Sequence, residues 1–127
     1  MKILIICSKK FYDRIPDIKK ELEKNEHIIT LPNCYNDPAT EERYRNLGNE
    51  KHSKWKAEML KHSTDVIKNN DAVLVLNFEK YRVKNYIGGA TFLEMYDAFR
   101  LGKKIFMYND IPDGILRDEI IGFSPII

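Results

Sequence analysis

Apolar residues fall along this chain of 127 residues in two rhythms. Four runs predict strands: "KILIIC" at 2–7, a continuous apolar run that suits a strand buried on both faces, the kind found in parallel sheets, then "HIITLP" at 27–32, ended by its proline, "DAVLVLNF" at 71–78 and "KKIFMYN" at 103–109. Between them the spacing turns helical. Pro16 suits a first helical turn, Ile15, Ile18 and Leu22 follow as a stripe, and Asn25 is a stop signal. Trp55, Met59, His62 and Val66 also fall at helical spacing. They predict one long helix from about Glu50 to Lys68, with a looser charged segment before it. A further helix is predicted over residues 90–101. "DIPDGILRDEIIG" reads as a turn and a short helix, and "SPII" as a short fifth strand.

Strands alternating with helices mean βαβ units joined by right-handed crossovers. The predicted fold is a single domain, residues 1–127. It is a small three-layer α/β fold of flavodoxin-like (Rossmann-like) type, with a mostly parallel sheet of four to five strands. Ligands of such sheets bind beyond the carboxyl ends of the strands, where the strand order reverses. That rule nominates Ser8 to Tyr12, Asn77 to Glu94 and Tyr108 to Pro112.

The middle segment holds a glycine pair, Gly88 and Gly89, just before a helix. Glycines there let backbone amides approach a ligand. The spacing is neither a dinucleotide fingerprint nor a phosphate loop. On a helical wheel Phe92, Met95, Tyr96 and Phe99 form the expected core face, with Glu94 nearly opposite Phe92. The neighbours of Glu94 one turn away are Ala90, Thr91, Asp97 and Ala98, which leave it room and no cationic partner. Two readings of Glu94 stand: a pocket carboxylate tuned for chemistry, or a solvated glutamate favoured by the helix dipole.

Composition narrows the classes. Apolar residues make up 43% and charged residues 31%, with a formal net charge of +2 and both signs mixed along the chain. These values are ordinary for a globular protein and leave no basic stripe for a nucleic-acid polymer or a membrane surface. No apolar run approaches a membrane span, and "MKILIICSKK" reads as a strand and not a signal peptide. Cys7 and Cys34 have no metal-ligand spacing and suit reduced thiols in a cytoplasmic protein. Cys7 reads as a small buried hydrophobe before it reads as a nucleophile. No metal or cofactor is expected.

The stretch "DAVLVLNF…NYIGGATFLEMYDAFRLGKKIFMYNDIP" resembles the nucleoside 2-deoxyribosyltransferase-like superfamily, which includes the 2′-deoxynucleoside 5′-monophosphate N-glycosidases. The shared pattern is a strand beginning at Asp71, a turn with Gly88 and Gly89, Glu94 in the next helix, and Gly102-Lys103-Lys104 before the following strand. "ICSKKFYDRIPDIKKELEKNEHIITLP" is similar to the family's opening strand, loop and helix. The resemblance covers most of the chain except roughly residues 34–60. It implies that Glu94 is the nucleophile attacking the anomeric carbon of a nucleoside or nucleotide, and that the protein forms a homodimer or larger homo-oligomer.

Family enzymes usually carry an Asp in the helix before the third strand. The matching position here is Ser63, and Asp65 faces elsewhere on that helix. His62 is adjacent and is the candidate to act on the base; it reads more readily as a surface or packed histidine. The loop "SKKFYDR" offers Ser8 and Lys9 to a 5′-phosphate, or is a solvated charged loop. Phe11 in the same loop is a further substrate-binding candidate, and the resemblance implies that Tyr12 orders the nucleophile by hydrogen bonding, as a tyrosine does in some members of the family. Asn77 and Asn109 end strands on the ligand side and either bind sugar or base or cap turns. Two functions therefore stand: N-glycosidic bond cleavage or deoxyribosyl transfer on a small nucleoside or nucleotide, and a non-catalytic nucleotide-binding module of the same fold.

Overall fold

A computed structural model describes all residues, Met1–Ile127. Four strands, β1 (Lys2–Ile6), β2 (Ile28–Thr30), β3 (Ala72–Val75) and β4 (Lys104–Met107), form one sheet in the order β2-β1-β3-β4. Every pairing is parallel, with Ile3 beside Ala72 and Ala72 beside Lys104. Five helices connect and cover them: α1 (Ile15–Lys24), α2 (Thr40–Asn46), α3 (Asn49–Lys68), α4 (Gly89–Arg100) and α5 (Arg117–Gly122). A 3-10 turn over Lys9–Arg14 leads from β1 into α1.

Period-two alternation divides each strand between two cores. Leu4, Ile6, Val73, Val75, Ile105 and Met107 pack with Ile67 of α3, Met95 and Ala98 of α4, and Ile120 of α5. Ile5, Leu74 and Leu76 face the other way, against Ile15 and Ile18 of α1. These are the three layers. Each fully buried aliphatic side chain contributes roughly 1.5–3 kcal/mol, so the two-sided burial of β1 and β3 fixes the middle of the sheet. Pro16 sits in the first turn of α1 and Asn25 closes it, with Asn25 Nδ2 donating to the Glu21 carbonyl at 3.1 Å.

The sheet is shorter than its apolar runs. β2 has three residues, because Pro32 has no N–H to continue the ladder. The fifth strand is a single parallel bridge, Phe106 to Ile126. The looser segment before α3 contains α2. Asp71 stands one residue before β3, yet its N–H already donates to the Lys2 carbonyl and its carboxylate accepts the Lys2 N–H, each at 2.8 Å, which ties the starts of β1 and β3 together.

The core face of α4 differs from the helical-wheel reading. Thr91, Met95 and Ala98 are buried, Phe92 lies at the margin, and Tyr96 and Phe99 are exposed around Phe123. The small Thr91 and Ala98 let the helix approach the sheet closely, where an aromatic ring would hold it off. Glu94 is three residues after Thr91 and four before Ala98. It therefore lies along the buried face, not away from it. No helix is long and apolar enough to cross a membrane.

Candidate active site

The strand order reverses between β1 and β3, and a cleft of about 270 Å³ opens beyond their carboxyl ends. Three parts of the chain build it. The loop after β1 supplies Cys7, Ser8, Lys9 and Tyr12; the turn into α4 supplies Lys80, Tyr86, Gly88 and Gly89; the α2–α3 hairpin supplies Glu41, Trp55, Lys56 and Ser63. Glu94 also lines it.

One end suits an anion. The first turn of α4 has no side-chain cap, so its amides are left for a ligand. Gly88 is extended and a Cβ on Gly89 would meet nothing within 4 Å, so the pair serves by leaving the cleft open and not by unusual backbone angles. Lys80 Nζ donates to Ser8 Oγ at 2.7 Å, which places an ammonium at the same end. Lys80 gets there through a tight two-residue turn, Lys80 to Val83, with Tyr81 and Arg82 both at positive φ. Such angles are uncommon away from glycine.

Glu94 stands five residues along α4 from Gly89, about 7.5 Å by the helical rise. Its carboxyl is pushed up to about 7, first by burial and then by the charge of Asp97, with Lys56 opposing. Asp97 is held by Thr64, whose hydroxyl donates to it at 2.7 Å from α3. A cation therefore does face Glu94, from α3, where its own helix offers none. Burial foremost, then the charges of Cys7, Cys34 and Glu94, keep the Tyr12 phenol far above its usual range, so that hydroxyl stays a donor. Burial and the Glu94 charge push the Cys7 thiol up to about 12. That suits an inert half-buried thiol and not a nucleophile.

The remaining candidates divide. Ser8, Lys9, Tyr12, Gly88, Gly89 and Glu94 line one cleft. His62, Phe11, Asn77 and Asn109 do not. His62 is exposed, one residue off the inward line of α3 that Ser63 and Ile67 occupy. Phe11 is buried edge-on against Phe78, with ring centroids 5.5 Å apart. Asn77 is fully buried and spends its side chain on the backbone. Its Nδ2 donates to the carbonyls of Asn109 and Asp110 at 3.1 and 3.0 Å, and its Oδ1 accepts the Asn109 N–H at 2.8 Å. Asn109 Nδ2 returns a bond to the Asn77 carbonyl at 3.0 Å. The two asparagines clamp the segments that leave β3 and β4. Ser63 lines the cleft and its hydroxyl accepts from Asn33 Nδ2 at 2.8 Å.

Lys80, Glu41, Trp55 and Lys56 are cleft residues that the sequence pattern did not single out for this role. Glu41 is the most connected: burial raises its carboxyl, yet His52, Lys56 and Arg45 outweigh that and hold it below the usual range. No group of three His, Cys, Asp or Glu side chains gathers to hold a metal ion. Compared with protein-family models, curated proteins and solved structures, the chain matches none of them.

Proposed function

We propose that the protein cleaves, or transfers across, the N-glycosidic bond of a nucleoside 5′-monophosphate or nucleoside, with Glu94 as nucleophile. The observation that carries this reading is the half-buried Glu94 carboxyl, raised to about 7, between an amide-lined anion end and a flat aromatic wall in one cleft. In this reading the phosphate meets the first turn of α4, Ser8 and Lys80, and the sugar lies over Glu94. An oxygen of Glu94 forms a bond to the anomeric carbon while the carbon–nitrogen bond breaks, and the base leaves with the electron pair and takes up a proton. Water then hydrolyses the glycosyl ester, or a second base takes the sugar. The transition state is cationic at the ring, so a fixed carboxylate stabilises it. In this reading the Tyr12 phenol, kept protonated in the same cleft, is the donor that would order the carboxylate when substrate is bound.

A second reading, binding without turnover, is favoured by Ser63 standing where a proton-donating Asp is usual in the resembled family. Incubating the protein with a panel of nucleosides and their monophosphates and following free base separates the two. Base release that disappears in Glu94→Gln supports the enzyme; binding with no release in the native chain leaves the binding module.

A further inference from the structure

The wall facing the start of α4 carries a charge pattern that bond cleavage does not require. Glu41 of α2 and Lys56 of α3 both line the cleft beside Trp55. The short contacts of Glu41 converge on one oxygen. Oε2 lies 3.0 Å from His52 Nε2, 3.3 Å from Lys56 Nζ and 3.5 Å from an Arg45 guanidinium nitrogen. No hydrogen bond engages Oε1. A carboxylate oxygen only accepts and an ammonium only donates. Held together by their mutual contact, the two make a preset acceptor–donor pair. Trp55 stacks on Tyr44 with ring centroids 5.5 Å apart and planes 15° apart, which fixes a flat wall next to that pair.

Resting on the reading of the cleft as a nucleotide site, we infer that Glu41 and Lys56 select bases with an exocyclic amine beside a ring acceptor, cytosine and adenine, over the oxo bases formed from them by deamination. In cytosine and adenine the amine donates to Glu41 Oε1 and the adjacent ring nitrogen accepts from Lys56. Deamination exchanges the two: an oxygen replaces the amine and the ring nitrogen gains a proton. Lone pairs then meet the carboxylate and an N–H meets the ammonium. Both contacts turn repulsive, so the pair rejects the oxo base as well as losing the bonds it makes to the amino base.

Trp55 is the single tryptophan of the chain, so its fluorescence reports occupancy of this wall directly. Titrating the full chain with the 2′-deoxy 5′-monophosphates of cytosine, uracil, adenine and hypoxanthine should give at least roughly tenfold tighter binding for each amino base than for its oxo partner. Glu41→Gln, whose amide both donates and accepts, should flatten that preference. Lys56→Gln should flatten it from the other side, and guards against a Glu41→Gln chain that does not fold. Glu94→Gln should keep it. Nucleotides that bind with equal affinity in the native chain, or a preference that survives both wall variants, would overturn this inference alone. If no nucleotide perturbs Trp55, the nucleotide reading fails and this inference fails with it.

Discussion

Replacing Glu94 by Gln should make the protein inactive and, at alkaline pH, more stable. A glutamate carboxyl raised from 4.5 to about 7 binds its proton more tightly in the folded chain than in the unfolded one. Between those two values the folded state holds more protons, so stability falls as pH rises through that window. It is full below about pH 4.5, and the loss is complete once pH passes the folded value. At about 1.4 kcal/mol for each tenfold change in proton affinity, the loss approaches 3 kcal/mol. Between pH 5 and pH 8, allowing for solvent relaxation around a half-buried group, about 2 kcal/mol of it should be measurable. Gln keeps the shape of the protonated carboxyl and cannot ionise, so it escapes the loss. Thermal unfolding of both proteins at pH 5 and pH 8 checks this. The variant should gain roughly 5–10 °C over the native chain at pH 8 relative to pH 5. Base release should fall by several orders of magnitude in the same preparation. A melting difference that does not change with pH would refute the buried carboxyl, and with it the reason for placing the chemistry on Glu94.

Other outcomes follow from the same geometry. The rate at low substrate should rise with pH as Glu94 ionises, with a midpoint near 7 and a plateau above it; a flat profile down to pH 5 would assign the reaction to another group. Lys80→Ala should weaken a 5′-monophosphate by roughly tenfold or more in calorimetry and leave the nucleoside unchanged, since a charge-assisted contact is lost only where a phosphate is present. Asn77→Ala should destabilise the fold by about 2–4 kcal/mol in urea unfolding, because it strands the Asn109 N–H and two carbonyls in a buried clamp. If Asn77→Ala instead leaves stability intact and weakens ligand, the clamp is a binding group.

The parallel sheet was legible because β1 and β3 are buried on both faces, and two-sided burial writes an unbroken apolar run into the chain. Helix α1 was legible from Pro16, its apolar stripe and Asn25. The face of α4 was not. Hydrophobicity clustered Phe92, Met95, Tyr96 and Phe99, but the distance between helix and sheet selects small residues, and Thr91 and Ala98 won the contact. His62 and Ser63 differ by one step of about 100° around α3, too fine a distinction for spacing that tolerates a residue of drift. Lys80 was hidden by its turn: two residues at positive φ without glycine leave no composition signal. Trp55 was legible only as a position on a helical stripe and Glu41 only as part of a looser charged segment; that they meet Lys56 in the cleft emerges once α2 and α3 are seen folded against each other.

The unequal edges of the sheet also bear on how the chain avoids associating wrongly. An open strand edge is a template for another chain. The β2 edge is blunted by being three residues long with Pro32 close behind it. The β4 edge is longer and is sealed by Ile126, which accepts the Met107 N–H and donates to the Ile105 carbonyl, each at 2.8 Å. Ile126 therefore acts as a guard against aggregation although it belongs to no regular strand. A chain cut before Ser124 would keep the cleft residues but leave an apolar edge of Ile105, Phe106 and Met107 free to recruit a neighbour's strand. Its colloidal behaviour would then depend on concentration even where its fold did not.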